Sequence, residues 1–326
     1  MPHTRRTLLL TALSTVAIGG TVAATSGRAS AAYPNPGTVT GDVAAHDPTM
    51  IKTSGEYVVY STHNGCEART STDRIAFSRN GSAFPNGVSW ASSYSGDPME
   101  LWAPDISYHG GRYLLYYAAS SFGSNTSAIG VAGSGTGLPG SWTDYGKVIA
   151  SSGSDDYNAI DPNLFVDSDG KWWLQFGSFW SGIQQIQLDP STGKPASGAG
   201  VKNIASRGGG AIEAAYLWQH GSYYYLFVSF DLCCQGVNST YRIMVGRSAS
   251  ANGPFVDRNG TAMLSGGGTE ILATHGTVIG PGGQSVYADT DHDLLVYHYY
   301  DGANNGAVRL GINYLGYDSS GWPYVY

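Results

Sequence analysis

A phrase of about twenty residues recurs along this chain, and its spacing limits the folds open to it more than any other feature. In residues 158–180, NAIDPNLFVDSDGKWWLQFGSFW, Asp161 stands before Pro162 and an apolar strand, Asn163 to Val166. Asp167-Ser168-Asp169-Gly170 then turns, and Lys171 to Phe176 returns with the aromatic, alternating pattern of a half-buried strand. Residues 46–62 repeat the phrase, with Asp47 before Pro48 and a turn at Ser54-Gly55-Glu56. Residues 102–120 are led by Asp105 and turn at His109-Gly110-Gly111; residues 212–229 are led by Glu213 and turn at His220-Gly221-Ser222. A weaker fifth copy runs from His275 to Tyr300. The leading acids are 58, 56 and 52 residues apart. Periods of this size, with about four short strands per unit, mark a β-propeller. A sandwich needs no regular interval and a parallel β-helix needs much shorter ones. The expected fold is all-β, a single five-bladed β-propeller over residues 32–326.

Composition agrees where it bears on this. The 23 Tyr, 8 Trp and 46 Gly favour short strands and tight turns over long helices, because aromatics suit a pleated surface and glycine accepts the positive φ of turns. Residues 1–31 read as a signal peptide: Arg5-Arg6, an apolar run from Leu8 through Val22, and the small-x-small end Ala29-Ser30-Ala31. The run is too short and too interrupted for a membrane span, and Thr4 to Leu9 looks like a twin-arginine signal. Removing Arg5, Arg6 and Arg28 takes the net charge from −7 to −10. The expectation is a secreted, extracellular, acidic bacterial protein, monomeric, with neither nucleic acid nor membrane as partner. The three cysteines, Cys66, Cys233 and Cys234, are too few for a disulfide framework. The adjacent pair could be a vicinal disulfide or two buried thiols.

If each phrase begins on an innermost strand, Asp47, Asp105, Asp161 and Glu213 converge on the channel mouth. Glu213 sits between Ile212 and Ala214-Ala215, an apolar setting that raises a carboxyl pKa by desolvation. A protonated carboxyl beside an ionised one is what glycoside hydrolysis requires. Trp102, Phe122, Phe179 and Trp180 lie at or just after the phrases and could stack on sugar faces.

The series HDP, WAPD, NAIDP, GSFWSGI, IEA and the run SFDLCCQGVNSTYRIMVGRS resembles glycoside hydrolase family 43, over essentially all of the chain after residue 31. The resemblance implies a five-bladed propeller and inverting cleavage of internal α-1,5-L-arabinofuranosidic bonds of arabinan. Alternatives are an exo-acting arabinofuranosidase or xylosidase, and a non-catalytic sugar-binding propeller. It implies Asp47 as general base, Glu213 as general acid, and Asp161 as the residue that orients the acid and tunes its pKa. Substrate contacts carried over are Asp47, Trp102, Phe122, Gly123, Asn158, Ala159, Ile160, Asp161, Ser178, Phe179 and Trp180. No cofactor is needed for the chemistry. Many members carry a histidine that reaches a calcium ion in the channel where this chain has Gly283, leaving His275 as the candidate ligand. The Asp167 to Gly170 segment lacks the later Glu of a calcium loop and reads as a hairpin turn.

Overall fold

The computed structural model describes residues 33–326; the signal-peptide segment expected at residues 1–31 lies outside them. Five antiparallel sheets follow one another in sequence. The blades open with the innermost strands Thr49–Thr53, Trp102–His109, Asn163–Val166, Ile212–His220 and Val278–Ala288, and each next strand returns along its neighbour. Blade 1 gains a fifth strand, Thr40–Gly41, parallel to Ala76–Phe77. The expected propeller is what forms.

The strands read as nearly continuous apolar runs because each blade is buried on both faces. In Arg112–Ala119, Leu115 and Tyr117 enter the core shared with blade 1, while Leu114 and Tyr116 enter the core shared with blade 3. Five such clusters lie one between each pair of neighbours, including blades 5 and 1. Burying each large side chain stabilises the packing by roughly 1.5–3 kcal/mol.

Alignment of the blades corrects one expectation. The equivalent residues at the channel mouth are Asp47, Ala103, Asp161, Ala214 and Gly283, all left-handed, with φ of 48°, 42°, 56°, 53° and 58°. Asp105 is two residues further along and Glu213 one residue earlier, so the leading acids do not share one position. The residues two beyond the mouth form a closed ring across the blades. Thr49 Oγ1 accepts from Ile106 N (3.2 Å), Asp105 Oδ2 from Leu164 N (2.7 Å) and Asn163 Oδ1 from Leu217 N (2.8 Å). Tyr216 OH donates to Val286 O (2.9 Å) and Ser285 Oγ to Pro48 O (2.8 Å). Asp105 is thus a buried tie between blades 2 and 3. Burial pushes its pKa up to about 7, against the lowering effect of Leu164 N–H and Asn163.

Among the described residues no strand is exchanged to close the circle. Residues 35–43 instead run along blade 5: Gly37 N donates to Ile312 O (2.8 Å), Leu310 N to Val43 O (2.7 Å) and Asn313 Nδ2 to Asn35 O (3.0 Å). The hairpin expected at Asp167 to Gly170 is present. Asp167 Oδ1 accepts from the backbone N–H of Asp169 and Lys171, and Oδ2 from Trp173 Nε1, so its carboxylate serves the turn.

Candidate active site

The mouth opens into a cleft of about 1050 Å³ lined from all five blades. Register shifts at Ala103-Pro104 and Ala214-Ala215 interrupt the innermost strands there. Such bulges re-aim side chains, and here they leave Asp47, Asp161 and Glu213 on one concave wall.

Asp47 is the best-held of the three. Its Oδ2 accepts from Thr62 Oγ1 (2.7 Å) and pairs with His46 Nδ1 (2.8 Å), and Thr62 is itself fixed by Ala103 N–H (2.8 Å). Its backbone N–H donates to His298 Nδ1 (3.1 Å). Burial alone would raise its pKa, but the charge and hydrogen bond of His46, with His298 beside it, hold it well below the usual carboxylate range. His46 is the counterpart: burial disfavours its charge, yet Asp47 and Glu213 raise its pKa overall. His298, fully buried and stacked on His46 at 3.7 Å, is lowered to about 4 by burial and by His46, and accepts as a neutral ring.

Glu213 faces the opposite conditions. It is 9% exposed; Ser178 Oγ donates to Oε2 (2.5 Å) and Tyr241 OH to Oε1. Burial pushes its pKa up to about 7, with the Asp47 charge adding to the rise and Ser178 and His46 opposing it. Asp161 accepts from Ala214 N–H (3.0 Å), which ties it to the backbone next to Glu213. Burial and the neighbouring Glu213 and Asp47 raise its pKa well above the ordinary value. The cleft therefore sets one carboxylate biased to stay ionised, Asp47, beside two biased toward the protonated form, Glu213 and Asp161.

Of the expected sugar contacts, Trp102, Phe122, Gly123, Asn158, Ile160, Ser178, Phe179 and Trp180 all line the cleft. Phe122 is 83% exposed on its rim. Trp102 is oriented by Glu100, which accepts from its indole N–H (2.7 Å) and pairs with His63 (2.6 Å). Ala159 is a correction: it is fully buried in the core between blades 2 and 3, and its N–H donates to Ser151 Oγ (2.9 Å), so it supports the wall from behind. His46, Thr62, Tyr241, His298 and Tyr300 were not singled out from sequence. His46 and Tyr241 carried a signal, through the HDP triplet and the run from Ser229 to Ser248.

The calcium expectation does not fit these residues. Calcium takes six to eight oxygen ligands, whereas the metal-capable groups beside the acids among the described residues are His46 with Asp47 and His298, two nitrogens and one engaged carboxylate, and His46 with the disulfide-bonded Cys233 and Cys234, which offer no oxygen. His275 is in no such group among the described residues: its Nδ1 bonds Ala273 O (2.8 Å) and its ring packs on Tyr33. Gly283 is also accounted for. A β-carbon there would collide with Asp47 Oδ1 and lie 2.7 Å from the His298 ring. Gly283→Ala should therefore lower kcat about tenfold or more by displacing both, checked by steady-state kinetics.

One carboxyl biased to stay ionised and one biased to hold its proton, both lining an aromatic-lined cleft, are what a glycoside hydrolase requires. The chain belongs to glycosyl hydrolases family 43, whose pattern matches residues 36–323. The extracellular endo-α-(1→5)-L-arabinanase 1 of Bacillus subtilis is 48% identical over 285 residues, 85% of this chain and 86% of that protein. An exo-1,5-α-L-arabinanase from a bovine ruminal metagenomic library superposes with a TM-score of 0.84 at 40% identity, covering 88% of this chain and 99% of that one. The α-L-arabinanase of Cellvibrio cellulosa, solved with arabinohexaose, gives 0.83 at 38% identity, over 87% and 96% of the two chains.

Proposed function

We propose that this protein is an inverting endo-hydrolase of α-1,5-linked arabinan, with Asp47 as general base, Glu213 as general acid and Asp161 as the residue that orients Glu213 and tunes its pKa. The observation that carries the reading is the opposed bias of the two carboxyls, Asp47 below the carboxylate range and Glu213 near 7. Glu213 gives its proton to the glycosidic oxygen as the C1–O bond breaks. A water attacks C1 from the other face, and Asp47 takes its proton. Trp102 and Phe122 offer stacking surfaces, while Asn158, Ile160 and Ser178 to Trp180 border the scissile sugar.

Endo action is favoured by the size of the cleft and by the exposed Phe122 on its rim, which provides for sugars beyond the one being cleaved. On linear arabinan, early products should be oligomers of mixed length, and proton NMR should show the β-anomer of the new reducing end first. A single short product from the start would assign the exo action named for the metagenomic neighbour, and the α-anomer first would exclude inversion. Secretion is supported by the extracellular name of the Bacillus relative and by the Cys233–Cys234 disulfide, a bond that persists in oxidising compartments.

The donor set beside the acids, mainly ring nitrogens, does not suit calcium. Treatment with a chelator should leave turnover and melting temperature unchanged. A loss that added calcium restores would contradict this.

A further inference from the structure

We propose that the Cys233–Cys234 disulfide is a positioning element for Asp47: it holds the outer end of a hydrogen-bond chain whose inner end orients that carboxylate. The inference rests on the reading of Asp47 as general base.

The chain of contacts is continuous. The disulfide joins neighbouring residues in the segment between the second and third strands of blade 4, on the cleft wall. Cys66 is a free thiol buried in another core, so this is the only disulfide the three cysteines allow. The bond has little to do with global stability, because the entropy a disulfide removes from the unfolded chain grows with the loop it closes, and this loop is minimal. Its effect is local. Cys234 is left-handed, with φ 65°, and the turn is pinned by Thr240 N donating to Leu232 O (2.8 Å) and Gln235 N to Ser239 Oγ (3.0 Å). In that conformation Cys234 N–H donates to Tyr300 OH (2.7 Å).

Tyr300 OH is 3.0 Å from His46 Nε2, and His46 Nδ1 is 2.8 Å from Asp47 Oδ2. Tyr300 OH accepts from Cys234 N–H and donates to Nε2 of the neutral imidazole; toward the charged imidazole its second lone pair accepts from Nε2–H. In both cases Nδ1 carries a proton and donates it in a hydrogen bond to Asp47 Oδ2. The imidazole is confined as well: His298 stacks on it at 3.7 Å, and Cys234 Sγ stands 3.7 Å from Nε2. Asp47 itself is left-handed, a conformation that costs a non-glycine residue energy and persists only where neighbours enforce it. The disulfide turn acts on the Asp47 side chain, through Tyr300 and His46, and it is closed by a bond that a reductant can cut.

The test compares wild type with the double variant Cys233→Ser/Cys234→Ser and with Tyr300→Phe on linear arabinan. Both variants should lose about tenfold in kcat with KM nearly unchanged, as expected when a reacting group is misplaced by a fraction of an ångström. The acid limb of the kcat/KM profile should move to higher pH, since the contact favouring the ionised carboxylate is weakened, while the melting temperature barely changes. A phosphine reductant offers the same cut without mutation. The phosphine gives two electrons and becomes its oxide with oxygen from water, and the sulfurs leave as two thiols. Reduced wild type should match the double variant and recover with oxidised glutathione, which keeps the test valid if the serine variant folds poorly. Wild-type kcat and acid limb in the double variant and in the reduced enzyme would overturn the proposal. So would a rise in KM alone, which would make the disulfide a sugar-contacting wall. Full activity in Asp47→Ala would instead overturn the assignment of the base, whatever the disulfide does.

Discussion

Glu213→Ala should lower kcat on linear arabinan by about 10³-fold or more, toward the upper part of what a general acid contributes. The departing sugar oxygen is a poor leaving group and needs a proton as the bond breaks. Glu213 can hold one because it is buried and stands near an anion, with its pKa at about 7. Two consequences separate this from generic damage. An arabino-oligosaccharide with a nitrophenol leaving group, which needs little protonation, should lose far less activity in the same variant. The wild-type rate should fall as pH rises through about 7, because deprotonation removes the acid, and that basic limb should vanish in Glu213→Ala acting on the nitrophenyl substrate. Wild-type turnover of arabinan by the variant would remove Glu213 from the mechanism.

Asp47→Ala should cost a comparable factor, about 10³- to 10⁴-fold, from the opposite side of the reaction. Water is a weak nucleophile until a base takes its proton. Azide has no proton to lose, so it should attack directly and restore part of the turnover as an arabinosyl azide. The sign of the pH dependence follows from the folded-state shift. Asp47 is held below the usual carboxylate range, so the base stays ionised at ordinary acidic pH, and the acid limb of the wild type should lie below that range. A limb near pH 5 or above would show that His46 does not act on it as the geometry implies.

Blade number and the innermost strand of each blade were legible in the sequence because they follow from periodicity; the repeat marked four leading acids, and the family resemblance picked Asp47, Asp161 and Glu213 from among them. The register at the channel mouth was not legible. Asp105 has the sequence context of a leading acid, but the mouth position of blade 2 belongs to Ala103, fixed by a left-handed backbone angle and a bulge that spacing does not reveal. His275 was chosen by position relative to a missing histidine, while His298, invisible within an apolar strand, is the histidine beside Asp47. The Cys233–Cys234 pair was legible only as two alternatives, because bonding depended on the turn around it. Ala159 shows the remaining limit: in a wall one residue thick, neighbours alternate between cleft and core, and a motif names both.

Because Asn313 donates to Asn35 across 278 residues of sequence, the propeller stays open along one radius until the last blade has been translated. Through that interval Ala45, Met50 and Val59 of blade 1 have no partner from blade 5, and the nascent chain presents an unfinished apolar face. Such surfaces invite association between chains, and non-local closure is slow to form. Yield in the cell should therefore depend on how fast the final strands emerge from the ribosome, and a lesion in blade 5 should harm blade 1 as much as itself.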